Sequence, residues 1–191
     1  MAKPRTYKLL CPIARGMDRV GDRRTLLLLR DLPAGPARFT DLQRGLTGIA
    51  ANLLTERLSK LIEDGLVKKR PGDHGTTLYE LTELGLKTKA VIFELAMLGA
   101  QFPVEGDTVD PGNLKTVAVT LVAAADRIAP HDLNVVAGLV VDDEQMEIRA
   151  EDGLASVSYR PARDPDVVLD TSYDSLMALS EGEITEKVYL Q

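Results

Sequence analysis

The sequence predicts an α+β chain in two parts: a helical unit ending in a β-hairpin, then a small antiparallel sheet covered on one face by helices. Three observations predict it. Arg38 to Arg70 holds two helical patterns separated by a glycine-containing turn and followed by a strand with three consecutive cations, Lys68-Lys69-Arg70. From Leu133 onwards the pattern becomes short apolar or alternating runs broken by Asp-Asp and Asp-Gly turns, the punctuation of a sheet. Between them Gln101 to Asn113 (QFPVEGDTVDPGN) carries two prolines, two glycines and three acids, a linker composition. The expected domains are therefore 1–101 and 114–191, joined by a linker over 102–113.

Taken in order, Met1 to Leu10 carries Lys3, Arg5 and Lys8 and reads as a basic arm directed at nucleic acid or at a partner subunit. Pro12 to Val20 fits a short helix, because proline suits the first turn, and Gly21 ends it. Asp22 is a plausible cap for a more apolar helix reaching Leu32, which Pro33-Ala34-Gly35-Pro36 breaks. Thr40 and Gln43 have the spacing of a capping box at the start of the next helix. Gly45-Leu46-Thr47-Gly48 supplies the turn.

From about Ala50 to Asp64, the residues Leu54, Leu58, Leu61 and Ile62 recur as one buried stripe. The opposite face keeps Asn52, Thr55, Glu56, Ser59 and Lys60, with Arg57 on the flank. Leu66 to Arg70 then reads as a strand, Pro71 to Gly75 as a loop and Thr76 to Leu81 as a return strand. That succession is the outline of a winged helix-turn-helix. Short hydrogen-bonding groups near the start of an outer helix face, with cations further along, suit a DNA major groove. Asn52, Thr55 and Arg57 are the candidates for base contact. Thr40, Gln43, Ser59 and Lys60 would position the helix on phosphate, and Lys68, Lys69, Arg70 and Thr76 would form the wing. An ordinary solvated helix has the same polar outer face, so this stretch alone leaves that alternative open. After the wing, Thr82 should cap a helix from Glu83 to about Ala100 through Leu84, Val91, Ile92, Leu95 and Leu98. It is too apolar to stand alone and needs a partner surface.

In the second part, Leu114 to Ala129 is a Val- and Ala-rich helix stopped by Pro130. Leu133 to Val141, Gln145 to Ala150, Leu154 to Tyr159 and Asp166 to Asp170 follow as strands, and Ser172 to Ser180 as a small amphipathic helix. Met146, Ile148, Leu154, Val157, Tyr159, Tyr173, Leu176 and Met177 are the candidates to line a pocket should this part hold the apolar ligand that the sterol-carrier-type resemblance given below implies, and scarce aromatic residues would leave space for one. The same residues could equally fill a core.

Charge is divided unevenly along the 191 residues. The net charge is −6, but residues 1–101 hold 17 Lys and Arg against 11 Asp and Glu, whereas residues 102–191 hold 6 against 18. A basic half carrying an acidic half fits a nucleic-acid module joined to something else. The single cysteine, Cys11, excludes an intrachain disulfide and suits a reducing compartment. It falls at a helix start beside Arg15, where a thiolate would be favoured, although a lone cysteine also serves as a small buried hydrophobe. Cys11, His74 and His131 are too scattered for a metal site. Asp142-Asp143-Glu144 falls in a turn, where acids are usually just solvated. No phosphate loop, nucleophile elbow or cofactor motif appears, so neither catalysis nor a cofactor is expected. No apolar run is long enough to span a membrane, and the first ten residues lack a secretory segment, giving a cytoplasmic expectation.

The motifs also carry a resemblance. Cys11-Pro12, DRRTLLLLRDL from Asp22, GPARFTDLQRGL from Gly35, NLLTERLSKLIEDGLV from Asn52 and YELTELG from Tyr79 together resemble the HxlR-type bacterial transcriptional regulators over about residues 8–101. Arg24 replaces the family's usual tryptophan, Ala50 its usual Ser or Thr at the start of the recognition helix, and Asp73-His74-Gly75-Thr76 its proline-rich wing. The resemblance implies a homodimer formed through the apolar helix after the wing and the N-terminal helix, binding a near-palindromic operator in double-stranded DNA. It also implies a redox-sensing role for Cys11, as in some members. More loosely, Asp166 to Val188, with Gly182-Glu183 after a short helix, resembles part of a sterol-carrier-protein-type domain, which implies a small apolar ligand. A rival reading makes the chain an apolar-ligand carrier or accessory protein whose winged helix serves only protein contacts.

Overall fold

The computed structural model describes residues 6–102, 114–128 and 130–180. Lys3, Arg5, linker residues 103–113, the side chains of Met177 and Leu179, and Gly182-Glu183 lie outside the described residues. The chain divides into two compact units, Met1–Gln101 and Phe102–Gln191.

The first unit begins with α1 (Pro12–Val20), which has proline in its first turn and Gly21 at its end. α2 (Arg23–Asp31) is capped by Asp22, whose carboxylate accepts from the backbone N–H groups of Arg24 and Thr25. A 3-10 turn over Leu32–Ala34 follows, then the two-residue strand β1 (Ala37–Arg38), α3 (Phe39–Gly45) and α4 (Ala51–Glu63). The wing is β2 (Val67–Pro71) and β3 (Thr77–Leu81), and its three-stranded sheet has the order β1-β3-β2 with both pairings antiparallel. Leu28, Leu29, Leu42, Leu54, Leu58 and Leu61 form the core, the faces that the 3.6-residue period selects.

Two local expectations are corrected. The Thr40–Gln43 capping box does not form. Extended pairing of Arg38 with Leu78 carries the strand up to residue 38 and starts α3 at Phe39. The Asp41 carboxylate accepts from the Arg38 N–H at 3.2 Å, and the Gln43 amide donates to the Ile49 carbonyl instead. The expected single helix after the wing is two, α5 (Glu83–Leu86) and α6 (Thr88–Gly99). Thr82 caps α5 as expected, accepting from Gly85 N–H at 3.0 Å. The ladder then breaks because Lys87 N–H turns to the Leu84 carbonyl and the Thr88 hydroxyl donates to the Gly85 carbonyl. Gly85 is required there, since a Cβ at that position would sit 2.0 Å from the Leu66 carbonyl oxygen.

The second unit contains α7 (Lys115–Ile128), β4 (Val135–Val141), β5 (Glu144–Glu151), β6 (Leu154–Ser158), β7 (Val167–Thr171) and α8 (Tyr173–Ser180). Asp142 and Asp152, both at positive φ, make the two hairpin turns. The sheet is mixed rather than antiparallel: its order is β6-β5-β4-β7, with β7 parallel to β4. The segment after β6 contains Pro161 and Pro165, which lack ladder donors. It therefore crosses to the far edge, where Asp166 N–H donates to the Val136 carbonyl and the Val136 N–H to the Asp166 carboxylate. Leu139, Val141, Met146, Ala150 and Val157 are buried, as are Leu114, Ala118 and Val122 around α7, which packs against β6. Among the described residues no helix is long and apolar enough to cross a membrane.

Candidate nucleic-acid interface

α4 presents the expected division. Leu54, Leu58 and Leu61 are buried, while Asn52, Thr55, Glu56 and Ser59 are exposed. Ala50 precedes the helix and offers no side-chain cap. The Thr55 hydroxyl donates back to the Ala51 carbonyl at 2.9 Å, the usual mid-helix use of a threonine. The Asn52 amide oxygen accepts from Leu53 N–H at 2.9 Å, and its NH2 group has no partner among the described residues.

The two cations of α4 are drawn back from this face. Arg57 reaches Asp22, the cap of α2, through Nε and Nη2, both at 3.4 Å, and Glu56 at 3.4 Å. Lys60 pairs with Asp64 at 3.3 Å, and Asp64 also accepts from Arg19 of α1 at 2.8 Å. Thr40 is exposed on α3, and Gln43 is committed to the turn before α4. Thus Asn52, Thr55 and Ser59 share one open surface, and Arg57 and Lys60 stand beside it in ion pairs. The Arg57–Asp22 contacts, long and only partly sheltered, can be exchanged, whereas Lys60 and Arg19 hold an Asp64 side chain that is only 9% exposed.

The wing divides its charge by the two-residue alternation of a strand. Lys68 and Arg70 both approach Glu80 on β3, at 3.0 and 3.6 Å. Lys69 is exposed and has no ion pair among the described residues. At the tip, His74 and Gly75 take positive φ, and Thr76 spends its hydroxyl hydrogen on the Asp73 carbonyl at 2.8 Å. Sequence reasoning missed Glu80 and Asp22 as partners. Alternation could have found the first, since Lys68 lies opposite Glu80 in register. The second joins residues 35 apart and had no signal.

Cys11 is exposed at the start of α1 in the single chain. Apolar side chains also remain uncovered within this unit: Leu10 and Ile13 at its start, Met17 on α1, and Leu84, Val91, Leu95 and Leu98 on α5 and α6. Only Ile92 and Phe93 of α6 are buried.

The ligand-pocket candidates of the second unit separate. Met146 and Val157 are core residues, and Ile148 pairs with Val157 in register. Leu154 is 74% exposed and does not join them. It lies three positions from Val157 along β6, an odd offset, so the two point to opposite faces. Tyr159 and Tyr173 converge instead on one carboxylate, donating to Glu144 at 2.6 and 2.9 Å, and Leu114 N–H donates to it at 2.9 Å. Burial and this carboxylate push the Tyr173 phenol above its ordinary value. Leu176 is half-buried on α8.

A family model described as HxlR-like helix-turn-helix matches residues 19–106. An uncharacterized HTH-type transcriptional regulator of Mycobacterium tuberculosis is 38% identical over 92 residues, 47% of this chain and 58% of that protein. The chain thus spans a little over half the length of this mycobacterial relative. The HTH-type transcriptional regulator YodB of Bacillus subtilis is 31% identical over 103 residues, 52% of this chain and 92% of YodB. The solved structure of quinone-bound YodB aligns with a TM-score of 0.43 at 29% identity, over 49% of this chain and all of that one. Matched by the family model and covering nearly all of YodB at that identity, this chain belongs to the HxlR-like helix-turn-helix family.

Proposed function

We propose that the chain is a sequence-specific DNA-binding transcriptional regulator that acts as a homodimer on a near-palindromic operator. The observation that carries this reading is the uncovered polar face of α4, held by three buried leucines on its other side in a unit that ends in a cationic wing. Asn52 and Thr55 read base edges, and Arg57 joins them on exchanging Asp22 for a DNA acceptor. Ser59, Lys60 and Thr40 meet phosphate, as do Lys68, Lys69 and Arg70 of the wing, while Thr76 closes its tip.

The exposed apolar side chains of α1, α5 and α6 support a two-fold dimer, which would set two recognition helices about 34 Å apart, one turn of DNA. Concentrating the basic residues in the first unit lets a net-acidic chain approach phosphate. A small apolar ligand of the second unit, or added dimer contacts there, would bias the spacing of the two helices. That YodB has been solved with quinone bound supports small-molecule control here too, and exposed Cys11 is a candidate sensor. A regulator of this kind works in the cytoplasm. Fluorescence anisotropy of the full-length protein with labelled duplex is the test. Binding that weakens steeply with salt and discriminates between sequences supports the reading, and no binding at low salt refutes it.

A further inference from the structure

Beside the outer face of α4, and sharing Glu56, Ser59 and Lys60 with it, lies a cleft of about 1200 Å3, walled by α1, the start of α2 and α4. Ligand pockets run from roughly 300 to 1,000 Å3, so there is room for a small organic molecule. Met17, exposed on α1, gives the wall an apolar portion, with Leu61 fully buried beneath it. The N-terminal segment closes one side, because Asp18 accepts from the Thr6 hydroxyl at 2.8 Å and from the Tyr7 N–H at 3.0 Å.

Arg57 is the distinctive group in this cleft. Its side chain is 26% exposed, against 41–70% for Lys60, Asp22, Arg19, Glu56 and Glu63 around it. Attraction to Arg57 is therefore less screened by water than repulsion from Asp22, Glu56 and Glu63, while the half-buried Asp18 carboxylate is already engaged by Thr6 and Tyr7. Its contacts to Asp22 and Glu56 are all near 3.4 Å, longer than the roughly 2.7–2.9 Å of a good charge-assisted hydrogen bond. Nε is sealed from solvent and has no hydrogen-bond partner. A guanidinium with an unused buried donor and loose ion pairs matches a carboxylate, which can accept from two of its N–H groups at once.

We propose that this cleft binds a small organic monocarboxylate, its carboxylate on Arg57 and its apolar body against Met17. The ligand replaces Asp22 and Glu56 as the partner of Arg57 and so loosens the tie between α4 and the cap of α2. Its effect on DNA affinity rests on the regulator reading above; its binding does not.

Full-length, DNA-free protein with labelled methionine methyl groups is titrated with benzoate and, separately, with the uncharged benzamide. The expected result is a saturable shift of the Met17 signal but not of Met146, with benzamide at least tenfold weaker. Arg57→Gln should weaken benzoate at least tenfold, and Glu63→Gln should leave it unchanged or tighter. No saturable Met17 shift, or equal binding by a folded Arg57→Gln protein, overturns the site. If Arg57→Gln does not fold, the benzoate–benzamide comparison on the wild type decides. In a second arm benzoate should change operator affinity. Unchanged affinity with the Met17 shift intact overturns the coupling alone, whereas no DNA binding at all counts against the regulator reading and leaves the Met17 arm to judge the site.

Discussion

Removing Lys69, the wing cation without an ion pair among the described residues, should have a larger effect on DNA binding than its size suggests. Lys68 and Arg70 share the Glu80 carboxylate at 3.0 and 3.6 Å, so those three residues together present one net positive charge. Lys69 offers a whole one. Each neutralised phosphate contributes about 0.9 to the slope of log affinity against log salt, so Lys69→Ala on both protomers of the proposed dimer should flatten that slope by about 1.8. Between 50 and 200 mM salt the wild type should therefore lose roughly tenfold more affinity than the variant. Glu80→Gln should act the other way, freeing Lys68 and Arg70 and steepening the slope. Anisotropy titrations of a random duplex across that salt range measure both. If the Lys69→Ala line runs parallel to wild type and Glu80→Gln is no steeper, the wing does not lie on phosphate.

Other consequences concern the scaffold. Leu54→Ala, at a fully buried position of α4, should cost about 2–5 kcal/mol in urea unfolding, whereas Asn52→Ala on the outer face should stay within about 0.5 kcal/mol. Gly85→Ala drives a methyl into the Leu66 carbonyl and should lower stability by about 1–3 kcal/mol, read as a drop in melting temperature. Leu95→Glu on the exposed apolar side of α6 should turn a dimer into a 20.8 kDa monomer by light scattering; a dimer that persists would place the interface elsewhere. Glu147 is buried on β5, and hydrogen bonds from the Arg160 guanidinium at 2.8 Å and Arg163 N–H at 3.1 Å hold it below its ordinary 4.5. Because its folded pKa is depressed, its contribution is complete above 4.5 and fades as pH falls through the lower folded value. The stability gap between wild type and Glu147→Gln, followed by circular dichroism, should therefore be full near neutrality and narrow in acid.

The parts of the fold that were legible in the sequence are those fixed by a local period. The leucine stripe of α4, proline at the start of α1 and the Asp142 and Asp152 turns each specify their element within a few residues. What escaped depends on distant partners. β1 is two residues long, too short to show a period, yet its pairing with β3 moves the start of α3 and displaces the Thr40 cap. The parallel placement of β7 depends on Asp166 meeting Val136, thirty residues away. At the candidate site, burial and outer face were legible for Asn52, Thr55 and Ser59. The withdrawal of Arg57 onto Asp22 was not, because charge type alone does not say which carboxylate a long side chain will find.

The account stands on the outer face of α4 reading DNA. The most direct test selects bound duplexes from a random library with wild-type protein and with Asn52→Ala, then compares the enriched sequences. The account predicts a two-fold-symmetric motif for the wild type, with half-sites about one helical turn apart, and relaxed preference at one position of each half-site for the variant. Identical motifs from the two proteins, or no enriched motif from the wild type, would contradict it.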